Sequence, residues 1–254
     1  MSFRINNVNI FFVLASVLLF CSVASAELRE WTTTSGKTFK GDFIAIIGGK
    51  ATFHNEKGKP FKVPKEQLSE KDLTFIELEN PPKFNIDFAP KSRQYVFPQK
   101  EKSYQAWQLP EALDYTFTVK IKQESAGSYN HELTVEYIAI GLEIDGSNYI
   151  FLDSGTTTFV PSEYKNKTFT FTGDRSVRVY DYVFFDDGRR GQKYGGYIVT
   201  ITDSRGKIIA YKSPYKWAIK YLDKIKKLYP NVHFDKTGTR VFPPRPRVGR
   251  HKTG

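Results

Sequence analysis

The chain has 254 residues, 15% aromatic and 26% charged, and its 38 Lys and Arg against 27 Asp and Glu give a net charge of +11. A single Cys and this aromatic-rich, mixed composition exclude a disulfide-stapled scaffold and a wholly disordered chain. The length suits two modest domains, and the basic surplus favours anionic neighbours such as acidic peptides, protein surfaces or envelope polymers.

Residues 1–26 read as an export signal. Arg4 supplies an early positive charge, Ile10 to Phe20 is an apolar run too short to span a bilayer, and Ala24-Ser25-Ala26 is a small-residue cleavage site. Cleavage near Ala26 would leave the protein in the periplasm, cell envelope or extracellular space. It would also remove Cys21, which is preceded by Phe20 where lipidation wants a small residue. No later stretch approaches the length of a membrane span.

Residues 27–78 carry the most specific pattern. Arg29 to Thr34 is aromatic and β-branched and ends in Ser35-Gly36-Lys37, the signature of a strand and a turn. A second strand is predicted from Thr38 to Ile47, with Phe39, Gly41, Phe43 and Ala45 inward and Lys40, Asp42 and Ile44 outward. Gly48-Gly49 closes it. Lys50 to His54 is a third strand with Ala51 and Phe53 inward, Asn55-Glu56-Lys57-Gly58 a turn, and a fourth strand points Phe61 and Val63 inward. Pro64 stops that strand because it lacks a backbone donor. Ser69, with Asp72 three residues on, marks a helix start, and Phe75 and Ile76 would plug the end of the small barrel.

The residues Arg29-x-Trp31, Gly36, Phe39, Phe43, Gly49-Lys50, Gly58-Lys59, Val63-Pro64 and Leu68-Ser69-x-x-Asp72 resemble the SLA-one homology domain of the first type. The resemblance spans roughly 50 residues. It implies an SH3-like barrel that recognises short peptides of the pattern Asn-Pro-Phe-x-Asp, and hence adaptor work and cytoskeletal protein binding.

Residues 79–92, broken by Pro81-Pro82 and Pro90, read as a linker, although Phe84, Ile86 and Phe88 alternate in the manner of an edge strand. From residue 93 to 236 strand signals dominate: Tyr115 to Lys122, His131 to Ile144, Tyr149 to Leu152, Thr157 to Val160, Lys167 to Thr172, Val177 to Phe185, Tyr197 to Thr202 and Lys207 to Tyr211. These strands predict an antiparallel β-sandwich, making the whole chain all-β. One amphipathic helix is predicted over 214–228, capped by Ser213, with Pro214 in its first turn and a stripe of Trp217, Ala218, Tyr221, Leu222, Ile225 and Leu228. Residues 237–254 form a basic, Pro-rich tail expected to be extended, in which Arg240, Pro243 and Pro246 also fit an SH3-ligand spacing.

Chemistry is harder to find. His54, His131, His233 and His251 stand at no metal-ligand spacing, and no phosphate-binding or nucleophile motif occurs. Asp181, Asp186 and Asp187 near Gly188 lack the spacing of a calcium loop and read as a turn beside Arg189 and Arg190. Asn166-Lys167-Thr168 is a glycosylation sequon.

The sequence therefore predicts an exported, non-enzymatic protein-binding module with no catalytic residue, cofactor or metal. The alternatives are a structural or polysaccharide-binding envelope protein, and a hydrolase whose site forms only in the fold. Strand parity leaves Lys50, Thr52, His54 and Lys62 outward, with Trp31 at the rim, as the face for a peptide or protein ligand with an acidic end. A nucleic-acid partner is disfavoured by export.

Overall fold

A computed structural model describes residues 28–98, 109–183 and 189–243. The expected export signal, the turn at Asp186, Asp187 and Gly188, and the greater part of the basic tail lie outside these residues. The chain is all-β in class, and it divides into two units between Ile76 and Glu77.

The N-terminal unit is a four-stranded antiparallel sheet in the order β1-β2-β3-β4. Its strands are β1 (Arg29–Thr32), β2 (Thr38–Ile47), β3 (Lys50–His54) and β4 (Pro60–Pro64). The sheet is a meander because each connection is short. Gly48 and Gly49 take φ of 58° and 78°, the mirror-image turn that a two-residue hairpin needs. In the β3–β4 turn, Asn55 Oδ1 accepts from the amides of Lys57 (2.9 Å) and Lys59 (3.0 Å). A 3-10 turn at Lys65–Gln67 leads to helix α1 (Glu70–Glu79). Thr33 and Leu68 form an isolated antiparallel bridge where the chain returns to the start of the sheet.

The core of this unit is aromatic. Trp31, Ala51, Phe53, Leu68 and Ile76 are buried, with Phe39, Phe43, Phe61, Val63, Leu73 and Phe75 packed around them. Phe53 lies at the centre, 4.9 Å from Trp31, 5.1 Å from Phe39 and 5.5 Å from Phe61 between ring centroids. Edge-to-face and offset pairs of this kind add to the stabilisation that burial alone provides.

Among the described residues the second unit contains ten strands: β5 (Phe84–Gln94), β6 (Glu111–Gln123), β7 (Leu133–Glu143), β8 (Tyr149–Phe159), β9 (Thr168–Thr172), β10 (Val177–Val183), β11 (Arg189–Thr202), β12 (Ile208–Lys212), β13 (His233–Phe234) and β14 (Arg240–Val241). The hydrogen-bonded path runs β14-β13-β8-β7-β11-β10-β6-β5, with β12 beside β11 and β9 beside β6. β11 is the corner: its start pairs with β10 and the rest with β7. Turning there brings Phe117, Val119 and Ile121 of β6 into one core with Leu133, Val135 and Tyr137 of β7.

The opposite face of β7, β8 and β11 is buried too. Ile138, Ile140, Phe151 and Ile198 pack there against Ala218, Leu222 and Ile225, so this sheet is covered on both sides.

Three expectations need correction. The segment expected as a linker is β5, which pairs with β6 over its full length from Phe84 to Gln94; its Phe84-Ile86-Phe88 alternation outweighs its prolines. The runs expected as two strands, Tyr149–Leu152 and Thr157–Val160, belong to one, β8, and Asp153 between them is buried in place. It accepts a hydrogen bond from Tyr137 Oη (2.7 Å) and pairs with Arg175. The helix predicted over 214–228 is shorter and interrupted: a 3-10 turn at Ala218–Tyr221 precedes α2 (Leu222–Ile225). Ser213 Oγ accepts from the Tyr215 amide (3.1 Å) and donates to Tyr197 O (2.7 Å), fixing a turn rather than capping a long helix. Among the described residues no helix is long and apolar enough to cross a membrane.

Candidate functional site

The candidate face lies on the N-terminal sheet, and strand register decides which residues share it. Cα partners across an antiparallel ladder point to the same side. Thr52 pairs with Lys62 on β4 and with Ala45 on β2, Lys50 pairs with Pro64 and Ile47, and His54 pairs with Pro60 and Asp42. Lys50, Thr52, His54 and Lys62 therefore stand on one face, opposite the Ala51–Phe53 core.

Two members of the predicted set are placed differently from expectation. Trp31 is at the core, not the rim, with only 1% of its surface exposed. It pairs with Phe39 in the ladder, its indole N–H donates to Gly41 O at 2.8 Å, and its ring meets Phe53 and Phe75. A large ring whose one polar atom is satisfied inside has every reason to be buried. Thr52 faces the predicted way but is 8% exposed, so it forms the floor between Ala45 and Lys62. Lys50 and Lys62 are exposed and His54 is half-buried.

The face also holds residues that alternation misassigned. The register of β2 against β3 shifts between Phe43 and Ala45, leaving Ile44 as the extra residue of a β-bulge. Beyond it parity reverses. Ala45 stands on the side of Thr52 rather than with Phe43, and Ile47 stands beside Lys50. Ile44 and Ile47 are 46% and 59% exposed. The sequence carried one sign of this, the unbroken apolar run Ile44-Ala45-Ile46-Ile47, which no single period accommodates. By register, Ala45 and Ile47 thus share a face with Lys50, Thr52 and Lys62.

Behind the face, one carboxylate ties the unit together. Asp72 Oδ1 accepts from Arg29 Nη2 (3.0 Å), and Oδ2 accepts from the Thr32 amide (2.7 Å) and Ser69 Oγ (2.9 Å). Ser69 Oγ in turn accepts from the Asp72 amide at 3.2 Å, as an N-cap does. The Ser69 amide donates instead to Thr32 O, so the predicted capping box is extended to hold α1 against β1. Burial pushes the Asp72 carboxyl up, but the Thr32 amide, Arg29 and Ser69 outweigh it and hold it below the usual aspartate value. The Arg29 guanidinium also lies 3.7 Å from the centroid of Phe75 and 4.9 Å from that of Trp31.

Among the described residues no three His, Cys, Asp or Glu gather as a metal site.

Compared with known proteins, residues 22–82 match the family model described as SLA1 homology domain 1. That stretch contains all four strands of the N-terminal sheet and α1, and less than half of the chain. No curated protein matches the chain. Among solved structures, a crystal structure from Akkermansia muciniphila aligns at 15% identity over 54% of this chain and 73% of that one, with a TM-score of 0.21.

Proposed function

We propose that the protein is an exported, non-enzymatic binding module whose N-terminal unit holds a short acidic peptide segment of a partner protein. The observation that carries this is the juxtaposition of Ile47, more than half exposed, with Lys50 on the same face of the sheet. Side by side, the Ile47 side chain offers an apolar contact and Lys50 a positive charge to one ligand. A ligand that brings an apolar side chain and a carboxylate a few residues apart satisfies both.

The peptide pattern Asn-Pro-Phe-x-Asp, which the domain resemblance implies, has that form: an aromatic ring to lie against Ile47 and Ala45, and an aspartate for Lys50 or Lys62. Thr52 and His54 complete the floor and edge. Adaptor work follows if the second unit is held by something else, and export follows from the leader-like residues 1–26. Titration of the full chain with a fluorescent peptide of this pattern, read by anisotropy, tests the reading. Saturable binding supports it, and no binding up to about 1 mM sinks it.

A further inference from the structure

We propose that the C-terminal unit carries a docking surface for an anionic lipid bilayer, formed by the α2 segment and the β13–β14 hairpin and independent of the peptide face. The charge distribution points there first. Residues 207–254 hold thirteen of the 38 Lys and Arg and two of the 27 Asp and Glu. The entire net charge of +11 thus resides in that stretch, and residues 1–206 are neutral overall.

The fold gathers part of this charge into one strip. Ala218, Leu222 and Ile225 are buried against the sheet, which leaves Lys220 and Lys224 exposed. Their ammonium groups lie 5.3 and 5.9 Å from the centroid of the Tyr221 ring, so they share one neighbourhood. The β13–β14 turn packs against the same place. Gly238, with φ of 73°, comes so close that a Cβ there would lie 3.0 Å from Lys224 Cβ. That hairpin carries Lys236 and Arg240, both exposed. The Arg240 guanidinium lies 5.8 Å from the ring centroid of Tyr229 and 5.0 Å from that of Phe242. Successive contacts thereby join Lys220 to Phe242.

Two properties of the strip select a bilayer. The first is uncommitted charge. Among the described residues Lys220, Lys224, Lys236 and Arg240 form no ion pair, whereas Lys207, Lys212 and Lys226 pair with Glu79, Asp87 and Glu136. Asp235, in the same hairpin, turns Oδ1 to the amides of Thr237 (2.8 Å) and Thr239 (3.1 Å). An ammonium on a flexible stem has no fork to fit one acceptor. A layer of mobile anionic headgroups asks only for proximity, and each cation near it is worth about fivefold in affinity.

The second property is the pair of rings beside the cations. Tyr229 is 57% exposed and Phe242 78%. Aromatic side chains with a cation between them are groups that settle at headgroup level. The apolar stripe of the α2 segment is already spent on the core, so the surface lies on a bilayer by charge and two ring tips and does not insert a helix. Arg245, Arg247, Arg250 and Lys252 follow in the sequence and bring four more cations.

The test is co-flotation of residues 27–254, which contain every described residue, with vesicles of neutral phosphatidylcholine and with vesicles containing about 30% phosphatidylglycerol, in about 0.1 M salt. Binding to the second and not the first is expected, and it is lost in about 1 M salt, where screening acts beyond about 3 Å. Lys220→Gln with Lys224→Gln and Lys236→Gln weakens it about thirtyfold or more, and Tyr229→Ala with Phe242→Ala about threefold or more. All five side chains are exposed, circular dichroism checks folding, and the single Lys→Gln substitutions, at about fivefold each, serve if the triple variant misfolds. Lys50→Glu with Lys62→Glu leaves flotation unchanged, which separates this surface from the peptide face. No binding, equal binding to both vesicles, unchanged binding by the folded variants, or preference for a DNA oligonucleotide or heparin over the anionic vesicles at equal charge overturns the proposal.

Discussion

Arg29 donates to Asp72 across 43 residues of sequence, at 3.0 Å, and so locks the first strand of the N-terminal unit to the helix that closes it. The carboxylate is almost fully buried and accepts three hydrogen bonds there, from Arg29, Thr32 and Ser69. Asp72→Ala leaves the Thr32 amide without its partner and is expected to cost about 1–3 kcal/mol. Arg29→Ala should cost less, because the guanidinium is a third exposed. Urea denaturation of the full chain, followed by Trp fluorescence, measures both.

Acid should unfold the protein through the same kind of group. Asp72, Asp114 and Asp203 are all held below their ordinary value of 3.8. For Asp114 the chief cause is the Arg178 hydrogen bond; for Asp203, burial opposes the shift and the bonds from Arg205 and the Lys207 amide overcome it. Each carboxylate binds fewer protons folded than unfolded between its depressed value and 3.8. Its stabilisation is therefore complete above the unfolded value and is lost as pH falls through the folded one. Melting temperature should be flat from pH 7 to about pH 5 and fall steeply below about pH 4. Asp72→Asn should lower the plateau and shallow the fall. An unchanged slope would contradict the assignment.

Trp31→Ala is expected to destabilise the N-terminal unit by about 3–5 kcal/mol, the cost of removing a buried aromatic. Trp31→Phe should recover part of that and still lose the bond to Gly41 O. Because Trp31 lies beneath the candidate face and not on it, folded Trp31→Phe should bind peptide as wild type does. Weaker binding by a folded variant would place the ring at the ligand after all.

In the second unit, Tyr137→Phe removes the hydroxyl that donates to Asp153 at 2.7 Å. Burial and the neighbouring Asp153 carboxylate both push this phenol up from its usual value, so it stays protonated as a donor throughout the neutral range. The variant should lose about 1–3 kcal/mol, since Asp153 is 1% exposed and loses a donor, leaving Arg175 as its charged partner among the described residues. Thermal denaturation reads the loss directly.

Local patterns gave away much of this fold, and tertiary contacts account for the misreadings. Phe39, Phe53, Phe61 and Val63 alternate cleanly, and each stands where alternation puts it. The Ile44 bulge breaks that logic, because one inserted residue reverses every side chain after it and no local signal fixes where it falls. Asp153 resembles a turn residue until Tyr137 and Arg175 supply the partners that let it lie inside a strand. Glu143 and His233 meet only through the pairing of β13 with β8, so spacing along the chain could not have joined them. An aromatic at a strand start reads equally well as rim or core, and for Trp31 the Gly41 carbonyl, which accepts from its indole N–H, decides for the core.

The most direct test of the peptide face is a charge-swap cycle with the full chain and a labelled Asn-Pro-Phe-x-Asp peptide, read by anisotropy. Lys50→Glu with Lys62→Glu should weaken binding about tenfold or more, and changing the peptide's Asp to Lys should restore most of that loss. If the double variant binds the original peptide as tightly as wild type, the face around Ile47 and Lys50 is not where the ligand sits.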